Sequence, residues 1–474
     1  MVASPVTVQQ TQYRLAQHYL KQLQRANAAI TKASSGNRDH WITAIQQDWP
    51  QIKHWCDWAA TQAVDRVRAR LCVEFCTTAA SATTTQQTTV ETITMLRQGV
   101  KAAQVLDDLA AEGEILYRLG LNHLRLRQLA DTSSCAEALA ECGEKLRDDR
   151  MLGRAWYLRA CVSNSAGNLE GAEAQYTQSR ELLEAIDQKD MVAVWAGFGH
   201  VAYYQGKYEA SHGYHSKSMQ LALELDDEPN VAVAHLSLTG VCLQLKDIQQ
   251  ALYHAQETLR IARKLSFLPL IPHALTMLAN VNRQLGRLDE ARAYYEEVLG
   301  ITRATLSPDS EVSVLTGLGR VYALQANDDL AIQHFLDAIK LAKAHRLLTR
   351  VTTPTEELIR IYLRRGDIAS AHERLCDLAD SALALASARF YAKTIFSASA
   401  LWHALGYSEQ AAQWVGLLQR HTEHLDSAEL ESLHDVLQES LGKEGFDDAV
   451  AKAGAFVLED TVKSLAQMLR EYPM

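Results

Sequence analysis

An all-α solenoid of helical hairpins is the fold class this sequence predicts, and three observations predict it. Landmark residues return every 40 positions over much of the 474-residue chain. Inside each period, small and apolar residues fall at i, i+3, i+4 and i+7, the spacing of a helix face and not the alternation of a strand. The composition agrees, because 23 glycines and 8 prolines are few while Ala, Leu, Gln and Glu are plentiful. A period of this length marks units that each bury a face only by stacking on their neighbours.

The register is set by one small residue per unit. Ser211, Ala251, Ala291, Ala331, Ala371 and Ala411 follow each other at intervals of 40. Twelve positions before each stand Gly199, Thr239, Ala279, Gly319, Ile359 and Ser399, all small except Ile359. Five before each stand Gly206, Lys246, Gly286, Ala326, Gly366 and Gly406. A further unit starts near Trp156, with Ala172 only 39 residues before Ser211, and a more degenerate one near Ile115.

Residues 314–344 show how one unit folds. Leu315, Leu318, Gly319 and Tyr322 share a face of a first helix, and Ala331, Phe335 and Ala338 share a face of a second. The small residues let the two helices approach, and the aromatic side chains fill the space beside them. A glycine such as Gly286 or Gly366 permits the left-handed turn that ends the first helix. Pro229, Pro269, Pro272, Pro308 and Pro354 are expected near helix starts, where the missing N–H matters least.

These residues resemble the tetratricopeptide repeat (TPR) family. Its order of large, small, aromatic, glycine, alanine, aromatic and alanine is matched by Leu315, Gly319, Tyr322, Gly286 of the preceding unit, Ala331, Phe335 and Ala338. The usual family unit is shorter, so the chain is similar to an extended variant with longer helices. The resemblance covers about residues 112–425. It implies a right-handed α-solenoid of TPR-like hairpins with a concave groove.

The ends carry a second resemblance. "DWPQIKHWCDW", residues 48–58, is similar to the segment before the repeats in bacterial STAND regulators, with Asp48, Ile52 and Trp58 matching. Gln51 and Cys56 depart from that pattern. Residues 441–469 are similar to the closing helices of the same architecture, through Leu441, Gly442, Phe446, Gly454, Leu458 and Glu459. Three regions are therefore expected: an N-terminal helical region over 1–111, the array over 112–425, and capping helices over 426–474. Residues 77–92 and 33–40 read as loops, the first because its β-branched polar run disfavours a helix.

Several functions are disfavoured. The net charge of -10, from 47 basic and 57 acidic residues, shows no basic cluster suited to direct nucleic-acid binding. No apolar run approaches a membrane span and the first residues lack a signal pattern, so a cytoplasmic protein is expected. No Gly-x4-Gly-Lys-Ser/Thr cradle is present, so no nucleotide or other cofactor is expected. "GFGHVA", residues 197–202, fits a dinucleotide glycine pattern but lies inside a first helix, where close packing explains it. The pairs His212/His215 and His421/His424 lack a third ligand. Among eight cysteines, Cys72 and Cys76 lie one helical turn apart, but Cys135, Cys142, Cys161, Cys242 and Cys376 show no paired spacing to complete a zinc site. Buried free thiols are the expectation, and no catalytic constellation is present.

The groove expected from the resemblance gives the binding candidates. The residues just after the small packing position are His200, Gly240, Asn280, Arg320, Arg360 and Ala400. One turn on come Tyr203, Leu243, Arg283, Ala323, Leu363 and His403, with Arg364 adjacent. Asn280, Arg283, Arg320, Arg360 and Arg364 thus form a polar, cationic centre, with His200 and Tyr203 nearer its start. Asparagine can hold a peptide backbone, and arginines can fork onto a carboxylate or phosphate. The alternative is a solvated face, with Glu356 pairing with Arg360 four residues on. The expected function is a non-enzymatic sensor module that binds a peptide, protein or small-molecule signal, anionic if the arginines are contacts. The STAND resemblance implies relay to ATPase and DNA-binding domains on this or another chain. A constitutive scaffold for protein assembly is the alternative.

Overall fold

The computed structural model describes residues 5–32, 35–61, 65–82, 90–304, 307–421, 425 and 427–471. These are helical almost throughout, with no strand among them. They form two compact units, Met1–Met277 and Leu278–Met474, whose boundary falls inside the helix Ile271–Gln284.

The first unit contains hairpins made of Leu109–Arg125 with Leu129–Leu146, Asp149–Ser165 with Leu169–Leu183, Gln188–Tyr204 with Tyr208–Glu224, and Glu228–Gln244 with Ile248–Lys264. Helical pairing continues N-terminally through Arg66–Ala82 and Val90–Leu106. In the second unit, Pro308–Leu324 pairs with Asp328–Ala344, Leu348–Arg365 with Ile368–Leu385, and Ala388–Ala404 with Ser408–Leu418. This is the all-α, TPR-like solenoid organisation the period predicts.

The turns explain the spacing. At the six positions five before the landmark residue, φ is positive: Gly206 (74°), Lys246 (60°), Gly286 (74°), Ala326 (57°), Gly366 (71°) and Gly406 (90°). Lys246 and Ala326 therefore adopt the left-handed conformation that costs a side-chain-bearing residue about 1–2 kcal/mol. A second left-handed position, between hairpins, also recurs, at Asp226, Ser266, Arg346 and Ala386. Residues with short polar side chains then start the next helix. Asp148, Asn168, Asp187, Asp227, Asp247, Asn327 and Asp367 each accept a hydrogen bond from a backbone N–H of the first turn. Each such cap contributes roughly 1 kcal/mol.

The glycine pairs 197/199 and 317/319 build slots for rings. A Cβ on Gly317 would lie 2.4 Å from the Tyr295 ring of the preceding hairpin, and one on Gly319 would lie 2.5 Å from Phe335 of its own hairpin. In the first unit Gly197 meets Tyr176 at 2.4 Å and Gly199 meets His215 at 2.6 Å in the same way. Tyr176, Tyr295, Phe335 and His215 are each at most 2% exposed. The "GFG" of residues 197–199 is thus a packing device, as its place inside a first helix predicts.

Three local expectations need correction. Pro354 lies in the interior of Leu348–Arg365 and not at its start, because that helix begins in register with Pro308–Leu324, 40 residues earlier. The 33–40 loop shrinks, since the helix Ser35–Ala60 already begins at Ser35; residues 33–34 lie outside the described residues. Likewise residues 77–82 close the helix Arg66–Ala82 and 90–92 open Val90–Leu106, while 83–89 lie outside the described residues. There, tertiary burial of Cys72, Phe75 and Cys76 outweighs weak local propensity. His424 also lies outside the described residues.

The C-terminal helix Leu458–Glu471 packs on Ile368–Leu385 and Ala388–Ala404. Leu458, Val462, Leu465, Ala466 and Leu469 join the same apolar cluster as Leu378, Ala382 and Ile395. Arg470 adds an ion pair to Asp380 at 2.6 Å. Ser427–Lys452 is kinked at Gly442, where φ is 71° and ψ is 161°. Among the described residues no helix is long and apolar enough to cross a membrane.

Candidate functional site

The binding candidates fall in both units, so each set is described within its own. In the second unit the first helices of successive hairpins bring Arg320, Arg360, Leu363 and Ala400 to the wall of one cavity of about 250 Å³. Glu356, Glu357, Lys393, Phe396 and Glu429 complete much of its lining. Three residues of the register line just after the small position, Arg320, Arg360 and Ala400, and one of the line a turn on, Leu363, thus converge on one cavity.

The electrostatics differ from the cationic groove the arginines suggest. Arg320 Nε donates to Glu357 Oε1 at 2.7 Å. Arg360 faces Glu357 at 3.5 Å and Glu429 at 3.1 Å. Glu356, expected to pair with Arg360, instead accepts from Lys393 Nζ at 2.9 Å. Burial pushes the Glu356 carboxyl upward, against the lowering pull of Lys393. Three cations (Arg320, Arg360, Lys393) and three carboxylates (Glu356, Glu357, Glu429) therefore balance in the lining. The Arg360 side chain remains half exposed, so it can change partners without a large desolvation change.

Arg364 stands apart from this cavity, held with Arg365 on Asp328 of the preceding second helix. Asn280 accepts a hydrogen bond from the Tyr295 hydroxyl at 2.8 Å. Arg283 lies close enough to Tyr295 to lower its pKa, although burial dominates and raises it. Asn280 is therefore tied to the packing ring of its own hairpin.

In the first unit His200 is exposed, its ring edge-on at 5.0 Å to that of buried His215. Tyr203 is half-buried and edge-on to Tyr208 at 5.6 Å. A separate ionic cluster there was not visible from the register of groove positions. Arg154 is buried, donates from Nε to Asp190 at 2.5 Å and from a terminal nitrogen to Glu114 at 2.6 Å, and lies over the Tyr117 ring at 4.5 Å.

One sequence signal could have found these pairs. Arg320 and Glu357, and Glu356 and Lys393, are each 37 residues apart, one period less about one helical turn. Arg154 and Asp190 are 36 apart. Opposite charges at this separation on successive first helices therefore meet across hairpins.

Comparison with known proteins agrees with this architecture. A family model described as tetratricopeptide repeat matches residues 190–264 and 270–344, and those segments are tetratricopeptide repeats. The chain is similar in structure to a STAND ATPase with a tetratricopeptide repeat sensor from Pyrococcus horikoshii, PH0952. That likeness has a TM-score of 0.54 at 13% identity and covers 85% of this chain and 55% of that one. It is also similar to the apo quorum sensor NprR from B. thuringiensis, with a TM-score of 0.53, 14% identity, and coverage of 75% of this chain and 97% of that one. NprR in complex with its cognate peptide NprX gives a TM-score of 0.52 at 14% identity, covering 75% and 98%. At these identities the likeness is one of fold. No curated protein matches the chain.

Proposed function

We propose that this chain is a non-enzymatic TPR module whose second unit binds a peptide segment in the cavity between Arg320, Arg360 and Lys393. The single observation that carries the reading is the lining of that cavity. Half-exposed Arg360 stands beside the apolar side chains of Leu363 and Phe396, supplied by successive first helices. A peptide carboxylate that takes the place of Glu429 at Arg360 keeps the guanidinium paired, while an adjacent apolar residue covers Phe396. Recognition is then an exchange of carboxylates and not the capture of an anion by free cations. Asn280, Arg283 and Arg364 extend the surface within the same unit, and His200 and Tyr203 are contacts of the first unit's own face.

The fold shared with NprR, which takes a cognate peptide, supports a peptide as ligand. The likeness to a STAND protein supports relay of binding to an ATPase switch on this or another chain, in the cytoplasm. The ion pairing of Arg320 and Arg360 favours a second reading, a constitutive protein scaffold whose face is held in one form by its own salt bridges.

The test is a displayed random-peptide library with free C-termini, panned against the chain and against an Arg320→Gln, Arg360→Gln double variant of unchanged circular dichroism. The expected result is a shared motif ending in an apolar residue and a carboxylate, enriched by the first protein and lost with the second. Enrichment of nothing, or of the same peptides by both proteins, would sink the cavity as the site and leave the scaffold reading.

A further inference from the structure

Three thiols of the first unit converge. Cys56 comes from the helix Ser35–Ala60, and Cys72 and Cys76 come from Arg66–Ala82, with all three sulfurs within 4.8 Å of one another. Each of the three residues has no exposure to solvent. The spacing of Cys72 and Cys76 marks two of the three thiols in the sequence, and the third was missed because it arrives from a separate helix. Among the described residues no His, Asp or Glu joins the three thiols within that radius.

The surroundings hold the sulfurs in place. Cys76 Sγ donates to the Met95 carbonyl at 3.2 Å. Gly99 leaves the room that Cys76 occupies, since a Cβ there would lie 2.7 Å from both its Cβ and its sulfur. The wall is otherwise apolar, with Ala16, Leu20, Leu23, Ile52 and Leu96 in the same cluster.

We propose that Cys56, Cys72 and Cys76 form a three-thiolate site for a soft, trivalent metalloid of the arsenite class. The geometry sets the coordination number. Bonds of about 2.3 Å to one pyramidal centre, at angles of roughly 90–100°, place three sulfurs about 3.3–3.5 Å apart, inside the 4.8 Å within which these three already lie. Structural zinc takes four protein ligands, and hard cations take oxygen, and neither requirement is met by three sulfurs alone. Charge then selects the ion. Three thiolates around a trivalent centre make a neutral group, whereas with Zn²⁺ or Cu(I) they leave net negative charge in an apolar core. The side-chain charge that bears on Cys56 and Cys72 is the Asp57 carboxylate, which has the wrong sign to offset such an anion.

The binding step balances as an exchange. Three S–H and three As–OH bonds break, three As–S bonds form, and three waters leave with no change of oxidation state. The bond from Cys76 to Met95 is given up as the last As–S bond closes.

Native mass spectrometry of the reduced full chain with sodium arsenite tests this. The expected product is one arsenic gained with three hydrogens lost, in the parent protein and in a Cys135→Ser control. Cys56→Ser, Cys72→Ser and Cys76→Ser, each checked by circular dichroism, should each lose it. Should a replacement fail to fold, X-ray absorption on the parent adduct counts the sulfur neighbours directly, and three are expected. No adduct overturns the proposal. So does one that loses only two hydrogens or survives any of the three replacements, because that is a dithiol. Displacement of arsenic by one equivalent of Zn²⁺ or Cu(I) overturns the choice of ion.

Discussion

At the scale of single residues, the turn between the helices of a hairpin is the best test of the register. Ala326 occupies the left-handed position that glycine fills at 286, 366 and 406, with φ of 57°. Ala326→Gly should raise stability by about 0.5–1 kcal/mol, the relief of strain less the extra entropy of the unfolded chain. A denaturant midpoint that falls would mean the Ala326 side chain makes a contact worth more than its strain. The position was legible in the sequence because a backbone requirement recurs whatever residue meets it. Ion-pair choice was not legible in the same way. Helix spacing alone offers Glu356 to Arg360, but stacking turns Glu356 toward Lys393 and leaves Glu357 to Arg320 and Arg360. Likewise Cys72 and Cys76 announce each other across one turn, whereas Cys56 joins them only through the packing of two helices.

At the scale of elements, buried histidines make the repeats of the first unit sensitive to acid. His215 fills the slot that Phe335 fills in the second unit, and is 1% exposed. Burial, with His200 and His212 nearby, holds its pKa down to about 3, and burial beside His235 holds His254 down to about 4. The His235 and His254 Nδ1 atoms are 2.7 Å apart, so one neutral ring donates to the other. A histidine whose folded pKa lies below its unfolded value takes up protons more readily when unfolded. Stability is therefore full above the unfolded pKa of about 6.5 and falls as pH drops from there toward the folded values. The melting temperature should decline between about pH 7 and about pH 5. His215→Phe, which copies the aromatic slot of the second unit, should flatten part of that decline. An unchanged slope in the variant would show that other groups carry the acid sensitivity. The sequence placed His215 one turn from His212, but only the slot formed with Gly199 explains why it is neutral.

At the scale of the whole molecule, a stack of hairpins has ends that must be closed. Each hairpin buries its faces on the next, so the last one exposes an apolar side unless something covers it. In the second unit the helix Leu458–Glu471 supplies that cover, laying Val462, Leu465 and Leu469 on the cluster that contains Leu378, Ala382 and Ile395. The return of this helix to Ile368–Leu385 is a contact that local sequence does not encode. Truncation after residue 457 should leave this cluster open. Because coupling in a stack is between neighbours, the loss should be graded along the unit. Amide exchange should accelerate most in Ile368–Leu385 and Ala388–Ala404 and least in Pro308–Leu324, which does not touch the removed helix. Uniform acceleration across the unit would instead mean that it unfolds as one cooperative block, and the cap would then be part of its core. The gradient matters for binding as well, because Arg360 and Phe396 lie on hairpins near the capped end while Arg320 lies farther from it. A cap that holds the wall of the cavity should lower peptide affinity when it is removed, even where the Arg320 hairpin keeps its protection.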